Sequence, residues 1–263
     1  MKKKHVVYLS LIGLFWFIFL VIAKIPAGLV LDNLVNEVEG FDASNVRGTL
    51  WDGEAKIRVN SVTPPITFQK AKWKIAPLKL IFGEFDVDLD IKDEFRFLTG
   101  SVRFDLIDHD IHLNNIKGRV DGAFVQPYLN LPFKVEGLAD IDIKEFENID
   151  KVPKKLDGRI IIESLKINMG QEVLLGTFAA DLSLVDDLPI AMVKLQDIQA
   201  QVELSGFAQF TTAMDYYVNI KVKPKATANP LISNTLQSVY RADDQGWYPV
   251  VIGQSFEKAA ETN

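Results

Sequence analysis

Asp86-Val87-Asp88-Leu89-Asp90-Ile91-Lys92 alternates charged and apolar residues without a break. Successive side chains of a β-strand point to opposite faces, so Val87, Leu89 and Ile91 share one side and the charges share the other. The same period-two pattern recurs at Glu54–Asn60, Asp140–Lys144, Ser164–Asn168, Gln199–Leu204 and Tyr217–Lys223. Strands of this type have one wet face and one buried face. That excludes a parallel sheet covered on both sides, whose strands read as continuous apolar runs. The segments between them are too short to hold a helix at each crossing, which excludes βαβ units.

The chain is therefore predicted to be mainly β. Its long antiparallel sheet would curl into a sandwich or into a half-barrel or trough. Its apolar side would carry Ile57, Val87, Leu89, Ile141, Ile143, Leu165, Ile167, Val202 and Leu204, either lining an apolar trough or packing on a second sheet. Packing on a second sheet is the simpler expectation. Short helices are expected near 27–38, from the spacing of Leu29, Leu31, Leu34, Val35 and Val38, and near 230–240, with Asn229 as cap. Asn148–Lys155 is the most linker-like stretch and is read as a sub-sheet boundary. Asp243–Gly246 turns into a last strand at Trp247–Ile252, and the polar tail 254–263 is expected to fray.

The N-terminus reads differently. Three lysines, Lys2, Lys3 and Lys4, precede an uncharged run from Val6 to Ala23 that Lys24 ends. As a helix those 18 residues span roughly 27 Å, close to the thickness of a bilayer core. The excess of lysine before the run places residues 1–5 in the cytoplasm and the body across the membrane. A cleaved signal peptide is the rival reading. It fits less well, because the bulky run Phe15–Leu20 continues almost to the candidate cut after Ala23. The expected organisation is a cytoplasmic tail 1–5, a transmembrane helix 6–23, a juxtamembrane helix or linker 24–44 and a β-rich periplasmic domain 45–253. The localisation that follows is a single-pass protein of the inner membrane with its body in the periplasm.

Composition narrows the function. With 29 Lys and Arg against 35 Asp and Glu the net charge is -6, and no basic cluster lies beyond the N-terminus, so a nucleic-acid partner is not expected. The chain contains no cysteine, which removes disulfides, thiolate metal sites and thiol nucleophiles. His109 and His112 lie three apart, a spacing that points to opposite faces of a strand, so they read as a polar turn and not as metal ligands. There is no nucleophile elbow, phosphate loop or dinucleotide fingerprint. No catalytic residue, metal or cofactor is therefore assigned, and a non-enzyme is expected.

Two segments carry a likeness. Val46-Arg47-Gly48-Thr49-Leu50-Trp51-Asp52-Gly53 is followed about twenty residues later by Trp73-Lys74-Ile75-Ala76-Pro77-Leu78-Lys79-Leu80-Ile81-Phe82-Gly83. They resemble the GTLW-x-G and W-x-x-x-P-x-x-L-x-x-G elements of the type II secretion system protein N family. The plan of one membrane helix, a β-rich body and a closing hairpin, here Asp243–Gly253, is similar as well. The resemblance implies an inner-membrane accessory or assembly component acting by protein–protein interaction, with secretion-system proteins and inner-membrane lipid as partners. Gly48, Thr49, Leu50, Trp51, Gly53, Trp73, Pro77, Leu80 and Gly83 are its signature and are read as structural landmarks. Alternatively, a curled sheet with an apolar trough resembles the AsmA-like envelope proteins in architecture, which implies bound or transferred lipid.

Overall fold

The computed structural model describes residues 13–14, 16–17, 20–29, 31, 40–60, 65–122, 134–168, 171–185, 188–211 and 215–253. Strands β1 (Phe41–Gly48), β2 (Asp52–Val59), β3 (Ile66–Ile75), β4 (Glu84–Lys92), β5 (Phe97–Asp105), β6 (Ile111–Asp121) and β7 (Lys134–Ile149) form the first half. Strands β8 (Val152–Asn168), β9 (Glu172–Leu184), β10 (Ala191–Ala200), β11 (Val202–Phe210), β12 (Tyr216–Pro224) and β13 (Tyr248–Ile252) follow. All belong to one 13-stranded antiparallel sheet whose spatial order is the chain order. One turn of helix, α1 (Pro77–Leu80), joins β3 to β4, and α2 (Pro230–Val239) lies between β12 and β13.

The sheet is open. β1 borders only β2 and β13 borders only β12, and among the described residues there is no second sheet. The sandwich expectation is thereby corrected: the alternating strands pair only with their neighbours in the chain. The boundary read at Asn148–Lys155 is corrected too. Those residues form the hairpin between the two longest strands, with Asn148 opposite Pro153 and Ile149 opposite Val152. Asp150 and Lys151 both take positive φ, 53° and 64°, as the central pair of a tight hairpin requires. A polar, proline-containing run looks like a linker in sequence, but here it closes a turn.

Register organises the two faces. Directly opposed residues in a ladder share a face, and one such row can be followed from β2 to β13. It runs Ala55, Ala71, Ile91, Leu98, Gly118, Ile141, Ile160, Ala180, Leu195, Gly206, Ile220 and Val250. Every member is apolar and is buried or half-buried. The adjacent row on the other face runs Glu54, Lys72, Asp90, Thr99, Lys117, Asp142, Arg159, Asp181 and Lys194. Opposite charges meet there across strands, as in Lys117–Asp142 at 3.7 Å and Arg159–Asp181 at 3.5 Å. Such exposed pairs add little stability, roughly 0–1 kcal/mol each, but they keep that face in water.

Bulges bend the strands. The register shifts at Ser44/Arg47, Thr99/Ser101 and Ile162/Leu165, and Asn45, Asn115 and Ser164 at these sites have positive φ. An extra residue on one strand increases the local twist and bends it, which suits a sheet too wide to stay flat.

At one rim of the sheet Val59, Ile66 and Phe68 are buried together, with Ile57 and Ile91 against them. At the same rim Ile232 of α2 packs on Val173, Phe178 and Val202. The predicted helix near 230–240 is thus found, and Asn229 caps it by accepting from Leu231 N at 2.9 Å. Its entry is tied down by Gln201, the turn residue between β10 and β11, which accepts from Asn229 N at 2.6 Å and donates to Leu174 O at 2.6 Å. Asp197 holds the neighbouring Lys225 at 2.9 Å and accepts from Leu204 N at 2.8 Å.

The expected N-terminal helix is only partly visible. Residues 13–14, 16–17 and 20–23 are helical, while 6–12, 15, 18 and 19 lie outside the described residues. Among the described residues no helix is long and apolar enough to cross a membrane. Of the helix expected at 27–38, residues 27–29 and 31 are helical and the others lie outside, as do the tails 1–5 and 254–263. The sheet begins at Phe41, a few residues before the expected 45.

Partial burial raises the Asp197 carboxyl, but the Leu204 N–H and the Lys225 ammonium outweigh it and hold it below the usual range. A depressed carboxylate contributes stability above its unfolded value, about 3.9, and that contribution is lost as pH falls through the lower folded value. Acidification through this range is expected to lower the protection of the α2 amides, measured against the intrinsic exchange rate at each pH. Asp197→Asn should show the lower protection already at neutral pH.

Candidate functional site

The nine signature residues gather at the rim opposite α2. Gly48 ends β1, Thr49, Leu50 and Trp51 form the turn, and Gly53 lies on β2. Trp73 stands directly opposite Gly53 on β3, Pro77 and Leu80 bound α1, and Gly83 ends the turn that follows it.

Their spacing has a steric reason. Thr49 N donates to Asp52 O at 2.9 Å, and Asp52 N donates to Thr49 Oγ1 at 3.2 Å, closing the turn. Gly48 has φ 88°, and a Cβ there would lie 2.4 Å from Asp52 O, so no larger residue enters this turn without strain. A Cβ on Gly53 would lie 2.4 Å from Trp73 Cζ2. The indole lies flush on the bare backbone, and its Nε1 donates to Leu50 O at 2.9 Å. The two sequence elements are thus two halves of one contact.

That contact grips the segment leading from the N-terminal helix. Trp51 Nε1 donates to Ile22 O at 2.8 Å, a last-turn carbonyl that also accepts from Ile25 N at 3.3 Å. Leu50 N donates to Ile25 O at 2.9 Å. Pro26 forms an antiparallel bridge with Thr49, and Ala27 is buried. On its other side the turn is fastened to β3, where Ile75 N donates to Trp51 O at 2.7 Å. Ala76 N reaches Asp86 O at 3.0 Å, and Lys79 of α1 pairs with the Asp86 carboxylate. Partial burial opposes ionisation of Asp86, yet hydrogen bonds from Lys79 and Arg103 hold its carboxyl below the usual range. The signature is thus a clasp between the N-terminal segment and the sheet. Its grip on Ile22 was not legible in sequence, because it joins residues 29 apart through a backbone carbonyl.

The expected trough residues all lie on the apolar face, although they are not brought to one point. Ile57 joins the β2–β3 cluster. Val87 and Leu89 follow on β4, and Ile141 and Ile143 on β7. Only Leu165, Ile167, Val202 and Leu204 converge. With Phe178 and Ile232 they line a cavity of about 310 Å³ roofed by α2 through Leu231, Thr235 and Leu236. This lies at the small end of ligand-sized cavities, and its lining is almost wholly apolar. The roof was missed in sequence because the helical spacing of Leu231 and Leu236 shows an apolar face without showing what it covers. The His109–His112 segment is the β5–β6 turn with the first residues of β6, and His112 sits 3.6 Å from Glu147. Among the described residues no group of three or more His, Asp or Glu side chains is placed to hold a metal.

Trp51→Phe keeps the ring but deletes the Nε1 bond to Ile22 O. Loss of one such bond, about 1 kcal/mol, is expected to open the segment roughly fivefold more often. Limited trypsin digestion of the full chain in detergent should then show correspondingly faster cleavage after Lys24.

No curated protein and no solved structure matches the chain at a significant level. The model of a family described as type II secretion system (T2SS), protein N, does match, over residues 39–251. That stretch takes in β1 to β12 and all of β13 but its last residue, and with them both halves of the clasp. The chain belongs to the type II secretion system protein N family.

Proposed function

We propose that the protein is an accessory or assembly component of a type II secretion system, held at the periplasmic face of the inner membrane by the Val6–Ala23 helix and acting by protein–protein contact. The family match over 39–251 carries this reading. The charge asymmetry around Val6–Ala23 supports the orientation, and the clasp at Trp51 supports a body held close to its anchor. The contact surface is the open edge at β1. An antiparallel edge accepts a further strand through its backbone groups. The other edge, β13, is less suited to this because Pro249 lacks an N–H.

Photo-crosslinkers at Asp42 and Ser44 on β1 are expected to capture other secretion-system subunits from native membranes, and deletion of the protein should impair export. Recovery of no such subunit, together with intact exoprotein secretion in the deletion strain, removes the proposal.

One observation favours a second role, lipid handling of the AsmA-like kind. The apolar row crosses the sheet from β2 to β13, and an almost wholly apolar cavity lies beneath α2. An acyl chain is the ligand such a lining accepts. Mass spectrometry of gently extracted protein should then detect bound lipid, and Leu236→Trp, which fills the cavity from its roof, should reduce it. Protein that is free of lipid under these conditions leaves the cavity as packing space only.

A further inference from the structure

The rim that carries the clasp has an unusual surface. Turn tips in water normally present polar residues, but two neighbouring turns here point large apolar side chains outward. On the β3–β4 turn Leu78, Ile81 and Phe82 are 67%, 76% and 76% exposed. On the β5–β6 turn Ile107 is 70% exposed, with Leu106 beside it at 49%. Leu106 N donates to Gly83 O at 2.7 Å, so the two tips form one patch.

Both tips are held in shape from within. Lys79 of α1 is paired with Asp86, and Asp105 Oδ1 accepts from Ile107 N at 2.7 Å and from Asp108 N at 2.9 Å. Those backbone donors hold the Asp105 carboxyl below the usual range. Polar groups are thus satisfied on the inner side of each turn while the apolar side chains face out. An apolar patch of this kind marks an interaction surface.

Its position identifies the partner. The patch adjoins Ile75 and Ala76, which are hydrogen-bonded to Trp51 and Asp86, and Trp51 in turn holds Ile22 in the last turn of the apolar N-terminal helix. The tips therefore stand at the level where that helix ends. We propose that this rim of the sheet rests in the bilayer interface, with Leu78, Ile81, Phe82, Leu106 and Ile107 inserted among the lipid headgroups and upper acyl chains. This rests on the reading of Val6–Ala23 as a membrane anchor. Amphipathic elements lying in this zone sink roughly 5–10 Å, and Trp51 has the ring type that favours it. The charged groups around the tips are Lys79 and Arg103 among Glu84, Asp86, Asp105, Asp108 and Asp110. That mixture, richer in acid, fits a zwitterionic surface and not an anionic one. The opposite rim, with α2 and the cavity, would then point away from the membrane.

The absence of native cysteine makes the test direct. The full chain is reconstituted in phosphatidylcholine nanodiscs with a single fluorophore on Phe82→Cys, Ile107→Cys, Phe17→Cys or Phe95→Cys. Phe95, 70% exposed on the β4–β5 turn of the opposite rim, is the aqueous control. Labels at 82 and 107 are expected to be quenched several-fold more strongly by a lipid-borne quencher than the label at 95, and to be shielded from iodide. Adding anionic lipid should not deepen them. Iodide access at 82 and 107 equal to that at 95, with the label at 17 buried in lipid, overturns the proposal while the anchor stands. Iodide access at 17 as well removes the anchor reading itself. Shielding at 82 and 107 without quenching from lipid means that a second copy covers the patch, and also overturns the proposal.

Discussion

A single open sheet has one face to hide, and among the described residues no second layer hides it. That constraint runs through the whole chain. It is met by register: from Ala55 to Val250 each strand places an apolar residue beside the apolar residue of its neighbour, while Lys117–Asp142 and Arg159–Asp181 face water on the other side. A slip of one residue in any hairpin would exchange the two faces beyond it. The hairpin at Asp150–Lys151 therefore matters more than its two residues suggest, since it sets the register of the two longest strands.

The two rims do different work. At one, Val59, Ile66 and Phe68 form one buried cluster and Ile232 of α2 forms another with Val173, Phe178 and Val202, and Gln201 and Asp197 fasten the helix that roofs the cavity. At the other, the Gly48–Gly53 turn and Trp73 grip the segment after the N-terminal helix, and the tips beside it leave apolar side chains uncovered. On the proposed reading the first rim reaches into the periplasm and the second stays with the membrane. Twelve inter-strand spacings of about 4.8 Å give the sheet a breadth of roughly 58 Å measured along its curve.

The signature residues show how far local reading goes. Gly, Trp and Pro at fixed spacing imply close backbone approach, and for Gly48 and Gly53 the structure shows it. What they approach was not legible. Trp73 lies on Gly53 and donates to Leu50 O, and Trp51 reaches back to Ile22 O. A backbone carbonyl leaves no mark in the residue type that carries it. The trough residues divide in the same way. All nine share the face that alternation assigns, but among the described residues only Leu165, Ile167, Val202 and Leu204 meet in a cavity, because there α2 crosses above them.

The sequence by itself determined that the body is built of alternating strands with an apolar and a charged face, the α2 helix with its Asn229 cap, and the family. Each of these is written in a local period or a short motif, where side-chain direction follows from backbone geometry alone. The single strand read through Gln199–Leu204 is instead the end of β10, a turn at Gln201 and the start of β11. Tertiary structure decided that the sheet is one open layer, that Asn148–Lys155 is a hairpin, and that the clasp and the cavity occupy opposite rims. Those features depend on which strand lies beside which, and on hydrogen bonds between residues far apart in the chain. The physical reason is that a period of two chooses the face of a side chain, whereas the number of layers and the identity of a rim come from pairings that no single segment contains.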